Sequence, residues 1–465
     1  MKRRRMWEYG TVLAALLVII MFAALEGGGY VHMESTAFLR VYNDRSRPLA
    51  NIVYDPLVTD WNAYQARELS YLVDALDARF IYACAGMGMA HFYSLSAMVI
   101  LLLCVIVQQH FLARDFPRLP PYLCSLLSLA FVAAPACRNF CFFRSAKPLT
   151  ALAATVICFA AWRLFLRRDR PAGGAAWVLL GSGLFAAPLA DRQGAFLTAV
   201  FAGMCGAAIA AAAFVPVRKF FGIGDAALRK LRAVGWIAGS AMVFSTAYNL
   251  YIAPAIIKKL NGYSPSFEYQ NIGGGGVFNL HGGGLFLLDN TGFFLLRIYG
   301  AAAFCGGLAL LILWSVFWIR RVRREPRLIP AALLFFAALG AMLLCADLMT
   351  FRHQLMLRDD VIHGSYFMPM LAVMMFLAAL TLEFSASRGV NTLLAILLGA
   401  SFAAAAFESR LSAPAVEDHQ MFFRRTSPTV IRAMNDPAFD ADSALLPYSS
   451  LKLVQHFRKY ASSCR

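Results

Sequence analysis

The chain has 465 residues, of which 60% are apolar and only 15% charged, whereas an ordinary soluble domain is about 45–50% apolar. That balance excludes a soluble globular protein. The formal charge of +17 does not point to nucleic acid, because the basic residues stand at alternate ends of apolar runs and no nucleic-acid motif accompanies them.

The apolar residues are blocked into runs such as Thr11–Leu25, Met89–Val107, Ala195–Val217, Gly300–Ile319 and Asn391–Phe407. A spanning helix needs about 20 largely apolar residues, so the chain reads as an all-α polytopic membrane protein. Eleven helices are expected, with cores near 9–25, 88–107, 120–136, 149–165, 174–190, 195–214, 233–253, 293–318, 329–348, 365–382 and 390–407. The basic clusters Lys2–Arg5, Arg163–Arg170, Arg218–Arg232 and Arg320–Arg327 mark the cytoplasmic ends. The expected setting is the plasma (inner) membrane, with the N-terminus cytoplasmic and the C-terminus extracytoplasmic. Two regions follow: a membrane domain over 1–407, whose first extracytoplasmic loop is 26–87, and a small tail over 408–465.

The first segment opens on MKRRR and carries Trp7 and Tyr9 at interface depth. Ala23-Ala24-Leu25-Glu26 is a poor small-x-small cleavage site, so the segment reads as a retained span rather than a signal peptide. In the first outer loop, Asp44-Arg45-Ser46-Arg47-Pro48 reads as a turn. Beyond it, Trp61, Leu69, Leu72, Val73, Leu76 and Phe80 recur at helical spacing, with Arg67, Ser70, Asp74 and Asp77 on the opposite face. This predicts an amphipathic helix lying in the membrane interface, with Thr59 or Asp60 as its N-cap. Asp55 precedes Pro56 and reads as a turn residue or a second acid.

Cys137 and Cys141 flank an outer loop end; they read either as a pair or as helix-mouth residues. Arg144 and Lys147 place positive charge at the outer start of the fourth span, against the general trend. They read either as cations for a lipid phosphate or as side chains snorkelling to headgroups. Asp191-Arg192-Gln193-Gly194 reads as a tight outer turn between two apolar runs rather than a substrate contact.

The loop over 254–292 contains Gly273–Gly276 and His281-Gly282-Gly283-Gly284. Such glycine density suits a mobile backbone that approaches a ligand closely, with His281 among the contacts. No nucleotide-binding glycine motif is present. Arg352, His353, Arg358, Asp359, Asp360, His363 and Tyr366 form the densest polar cluster after the first loop. The ten-residue gap between its histidines is not zinc spacing, and the cluster suits a diphosphate or sugar. The tail after Glu408 is punctuated by Pro414, Pro428, Pro437 and Pro447 and reads as a small helical appendage.

Asp60, Tyr64 and the Arg67-Glu68 pair carry a resemblance. An acid preceding a Tyr and an Arg-Glu pair in a large first outer loop resembles the GT-C class of membrane glycosyltransferases, which includes protein-mannosyl and lipid-A aminoarabinose transferases. The Tyr-to-Arg gap is shorter here than in the aminoarabinose branch. The resemblance implies an inverting sugar transfer from a polyprenyl-phosphate donor to a glycan, lipid or protein acceptor. It implies Asp60 as the catalytic carboxylate. With Asp55 as a second candidate acid, the candidate substrate contacts in such a transferase are Tyr64, Arg67, Glu68, Arg144, Lys147, His281, Arg352, His353, Arg358, His363 and Tyr366. No cofactor is required by it, although a divalent metal fits the class. Two other readings stay open: an O-antigen ligase or polymerase, which would rest on the Arg352–His363 cluster, and a transporter of lipid-linked sugars.

Overall fold

The computed structural model describes residues 2–25, 27–29, 31, 33–54, 63–64, 67–134, 137, 145–166, 173–220, 224–262, 266–267, 305–306, 308–325, 328, 331–332, 335–336, 338–340, 368–385 and 419–462. These residues are helical apart from turns and one two-residue parallel pairing. Among the described residues, five helices are long and apolar enough to cross a membrane: α1 (Lys2–Leu25), α5 (Leu95–Asp115), α7 (Ala146–Leu166), α9 (Arg192–Ala213) and a continuous helical run over Asp225–Asn261. Three shorter apolar helices join them: α6 (Pro121–Ala133), α8 (Gly174–Ala190) and α13 (Met368–Phe384). Residues 308–324 are also helical. The expected core at 390–407 lies outside the described residues.

The surface of these helices is inverted relative to a soluble protein. Leu13, Leu17 and Ile20 on α1, Val99 and Leu103 on α5, and Trp236 and Val243 in the 225–261 run are all exposed. Apolar side chains arrayed outward on helices of this length match a lipid surround. Lipid tails are as apolar as the side chains, so helix association rests on close packing and a few polar contacts. Thr11 donates to Ser125 at 2.6 Å, Gln109 donates to Ser128 at 2.9 Å, and the Trp318 indole donates to Thr381 at 3.2 Å. Phe159 meets Phe376 edge-on at 5.4 Å, and Phe116 stacks on Trp162 at 5.9 Å.

One end of the bundle is basic. Arg4 donates to the carbonyls of Ala113, Pro117 and Leu119, Arg163 pairs with Asp115 at 2.8 Å, and the Arg118 amide donates to Glu383 at 3.0 Å. The opposite end carries a second layer with its own apolar core. It is built from α2 (Met33–Tyr42), α3 (Leu49–Val53), α4 (Glu68–Gly86) and two tail helices, α14 (His419–Asn435) and α15 (Tyr448–Ser462). Phe38, Tyr42, Tyr71, Phe92, Val430, Leu453 and Phe457 share this core. Ser427 accepts from the Val31 amide at 3.1 Å, Asn435 accepts from Ala90 at 2.7 Å, and Tyr82 bonds His456 at 2.9 Å. The tail therefore sits on the same side as the first loop, which requires an even number of crossings between Leu95 and His419.

Several boundaries differ from the hydropathy reading. The span expected at 88–107 begins at Leu95 and runs to Asp115, because α4 ends in a left-handed glycine. Gly88 has φ +75°, its amide reaches the Ala85 carbonyl, and the Met89 amide reaches Cys84, the two bonds of a Schellman cap. Residues 253–261, read as loop from 254 onward, instead form helix α12 (Ala253–Asn261), continuous with α11 (Asp225–Ala247) through a π-helical turn at Tyr248–Ile252. The turn at Asp44 is present: its carboxylate accepts from the Ser46 amide at 3.0 Å.

Candidate functional site

Helix α4 is amphipathic as expected and keeps its apolar face outward, but its polar face is buried against protein rather than left to solvent. Glu68, Ser70, Asp74 and Asp77 are buried in protein, while Leu72, Leu76 and Phe80 point outward, Leu76 being 61% exposed. Its first residue is Glu68, and the residue before it is Arg67, not Thr59 or Asp60. The burial of the polar face has a clear cause. Two spans begin against α4, and their first amides need acceptors. Asp77 accepts from the Ser96 amide at 3.0 Å and its hydroxyl at 2.7 Å, at the start of α5. Asp74 accepts from the Ser145 amide at 2.8 Å and its hydroxyl at 2.7 Å, at the start of α7. Carboxylates three residues apart on one helix face thus tie α4 across two span mouths.

The third span mouth is the turn between α8 and α9. Asp191 joins them in extended conformation (φ −167°, ψ 163°) and is 0% exposed. Pro188 lies inside α8 and has no N–H to give the Leu184 carbonyl. Thr198 of α9 donates to that carbonyl instead, at 3.2 Å. Gly194 lets the helices close: a Cβ there would lie 1.8 Å from the Ala187 carbonyl oxygen. Gly194→Ala is therefore expected to force the turn open and to lower thermal stability markedly. Thermal unfolding of the purified variant checks this, and an unchanged midpoint would mean the turn is not closed.

Asp191 does more than turn the chain. Arg67 reaches its Oδ1 at 3.0 Å, and the Lys147 ammonium bonds its Oδ2. Ser70 of α4 donates to the neighbouring Ala190 carbonyl. Arg192 and Gln193 are buried beside it. The tight-turn reading of 191–194 fits the backbone but misses this role, and headgroup snorkelling does not describe Lys147, which is buried in an ion pair. The signal was an Asp-Arg pair inside an apolar run, where burial is costly without a partner.

Next to this cluster lies a less charged group. Glu68 is 9% exposed, and burial pushes its carboxyl up to about 8, while the nearby Tyr248 hydroxyl works against that rise. Tyr248 belongs to the π-helical turn, and its hydroxyl lies 3.0 Å from that of Tyr54. Asn249 is also buried: its amide nitrogen donates to the Ser245 carbonyl at 2.8 Å. Sequence reasoning passed over Tyr54, Tyr248 and Asn249 because they are polar residues within or beside apolar stretches, with no motif spacing.

Of the residues expected at the site, Arg67, Glu68 and Lys147 gather here. Tyr64 is placed by its backbone: Ala63–Tyr64 pairs in parallel with Ser266–Phe267, which ties the first loop to the start of the glycine-rich one. Asp55, Asp60, Arg144, Cys141, His281, Arg352, His353, Arg358, His363 and Tyr366 lie outside the described residues. Cys137 is buried in the apolar core of the helix bundle. Among the described residues, no group of three His, Cys, Asp or Glu side chains could hold a metal ion.

Comparison with protein-family models, curated proteins and solved structures finds no match for this chain.

Proposed function

We propose that this membrane-embedded protein is a GT-C-like glycosyltransferase. It would move a sugar from a polyprenyl-phosphate donor to a glycan, lipid or protein acceptor on the extracytoplasmic face of the plasma membrane, with the N-terminus in the cytoplasm. The observation that carries this reading is the pair of cations, Arg67 and Lys147, on the single carboxylate of Asp191. Both cations sit at a span mouth beneath the first loop, where the phosphate of a lipid donor would meet them.

In the reaction, an acceptor oxygen attacks the sugar C1 and loses its proton to a carboxylate. The bond from C1 to the phosphate oxygen breaks, and the lipid phosphate leaves with the electron pair. Arg67 and Lys147 would offset the charge that grows on that phosphate. Asp60 is the base that the sequence resemblance favours.

The test is transfer from a synthetic polyprenyl-phosphate-hexose by purified protein in nanodiscs. Asp60→Asn keeps size but cannot take a proton, and should cut transfer at least ~100-fold with folding intact. Lys147→Met should weaken binding of bare polyprenyl phosphate. Wild-type protein that neither binds that lipid nor transfers from its hexose conjugate would overturn the proposal. Transfer only from a diphosphate-linked glycan would move the reading to an O-antigen ligase.

A further inference from the structure

The cationic cluster accounts for a phosphate, but it leaves the neighbouring group unexplained. Four observations concern this stretch and its neighbours. The π-helical turn at Tyr248–Ile252 interrupts a long helix at considerable cost in regular bonding, and such turns are frequent at functional sites. The Tyr54 and Tyr248 hydroxyls lie 3.0 Å apart, and Tyr248 borders Glu68. Asn249 is 7% exposed, and its amide oxygen meets no hydrogen-bond donor among the described residues. Asn261, at the end of α12, donates to the Tyr54 carbonyl at 3.3 Å and so fixes Tyr54 against the turn.

A buried acceptor left open is unfavourable unless something fills it. The chemistry of the group limits what that can be. Two phenols, an amide oxygen and a carboxyl largely protonated near neutral pH offer both donors and acceptors with little net charge. A second phosphate would find few cations, and a hydrocarbon chain would leave every polar atom unmatched. Neighbouring hydroxyls on a ring, each both donor and acceptor, match the set. A site built to hydrogen-bond hydroxyls also rejects analogues that lack them.

We propose that Glu68, Tyr54, Tyr248 and Asn249 form a hydroxyl-recognition subsite that holds the sugar ring of the lipid-linked donor, beside the phosphate held by Arg67 and Lys147. The proposal rests on the glycosyl-transfer reading and adds to it. Arg67 and Glu68 are consecutive at the start of α4, so one helix start presents a cation to the phosphate and a neutral carboxyl to the sugar. Asn249 and Tyr54 then determine which sugars are accepted, without taking part in bond making.

Binding of two probes to full-length protein in nanodiscs separates the two ideas. The probes are decaprenyl phosphate and decaprenyl-phosphate-hexose. Wild type should bind the hexose conjugate about tenfold or more tightly than the bare phosphate. Asn249→Ala should remove that preference and leave bare phosphate binding within about twofold. Tyr54→Phe keeps the ring and removes one hydroxyl, and should reduce the preference severalfold. It carries the test if Asn249→Ala does not fold. Bare phosphate binding with no hexose preference in wild type overturns the subsite and leaves the transferase reading standing. A preference unchanged in a folded variant of either residue overturns the assignment to these residues. Failure to bind either lipid overturns both.

Discussion

Asp191→Ala should cost about 3–5 kcal/mol, the usual loss when one partner of a buried ion pair is removed. The carboxylate is fully buried and holds Arg67 and Lys147 together. Without it, two like charges remain close in a site largely shielded from water. The thermal midpoint in nanodiscs should fall by roughly 5–10 °C. Adding Lys147→Met should restore part of the loss, because it removes one of the two cations that Asp191 holds together. The two substitutions should therefore be strongly non-additive. A folded Asp191→Ala protein with an unchanged midpoint would mean that the pairs are exposed to solvent, and the cationic centre would lose its basis.

Glu68→Gln should remove a pH dependence of stability. The Glu68 carboxyl lies at about 8 in the folded protein, raised from 4.5 by burial. Below pH 4.5 it is protonated whether the chain is folded or unfolded, and its full contribution is present. Between pH 4.5 and 8 the unfolded chain has lost the proton while the folded protein keeps it, so stability falls as pH rises. Above pH 8 the penalty is constant. At about 1.4 kcal/mol for each pH unit crossed, the loss across that window is on the order of 4–5 kcal/mol. Glutamine keeps the hydrogen-bonding capacity and the volume but never ionises. Wild type and variant should unfold at similar temperatures at pH 4.5, with the variant clearly more stable at pH 8.5. Other titrating groups are common to both proteins, so the difference between the two curves isolates Glu68. Parallel curves would show that Glu68 is hydrated and ionised at neutral pH.

The same residues show how much of the site could be read in the sequence. Arg67, Glu68 and Lys147 were identifiable because they are charges in polar loops or at a span mouth, where hydropathy marks them as exceptions. Asp191 was visible only as an Asp-Arg break in an apolar run. Its role depends on α4 and α7 arriving from more than forty positions away, and no local pattern encodes that. Tyr248 and Asn249 were hidden within a span, because one extra residue in a helical turn leaves no periodic trace in composition.

The sequence alone determined that the chain enters a membrane as helices. Twenty-residue apolar runs have no other stable arrangement in lipid, where every backbone amide must be bonded internally. It also located α4 and its two faces, since helical periodicity is a local property. It did not determine what the polar face of α4 meets. In water the apolar stripe would be buried; here Leu72, Leu76 and Phe80 face out while Asp74 and Asp77 are drawn inward to the starts of α7 and α5. The tertiary structure decided that, because unbonded helix starts inside the protein cost more than apolar side chains directed toward lipid.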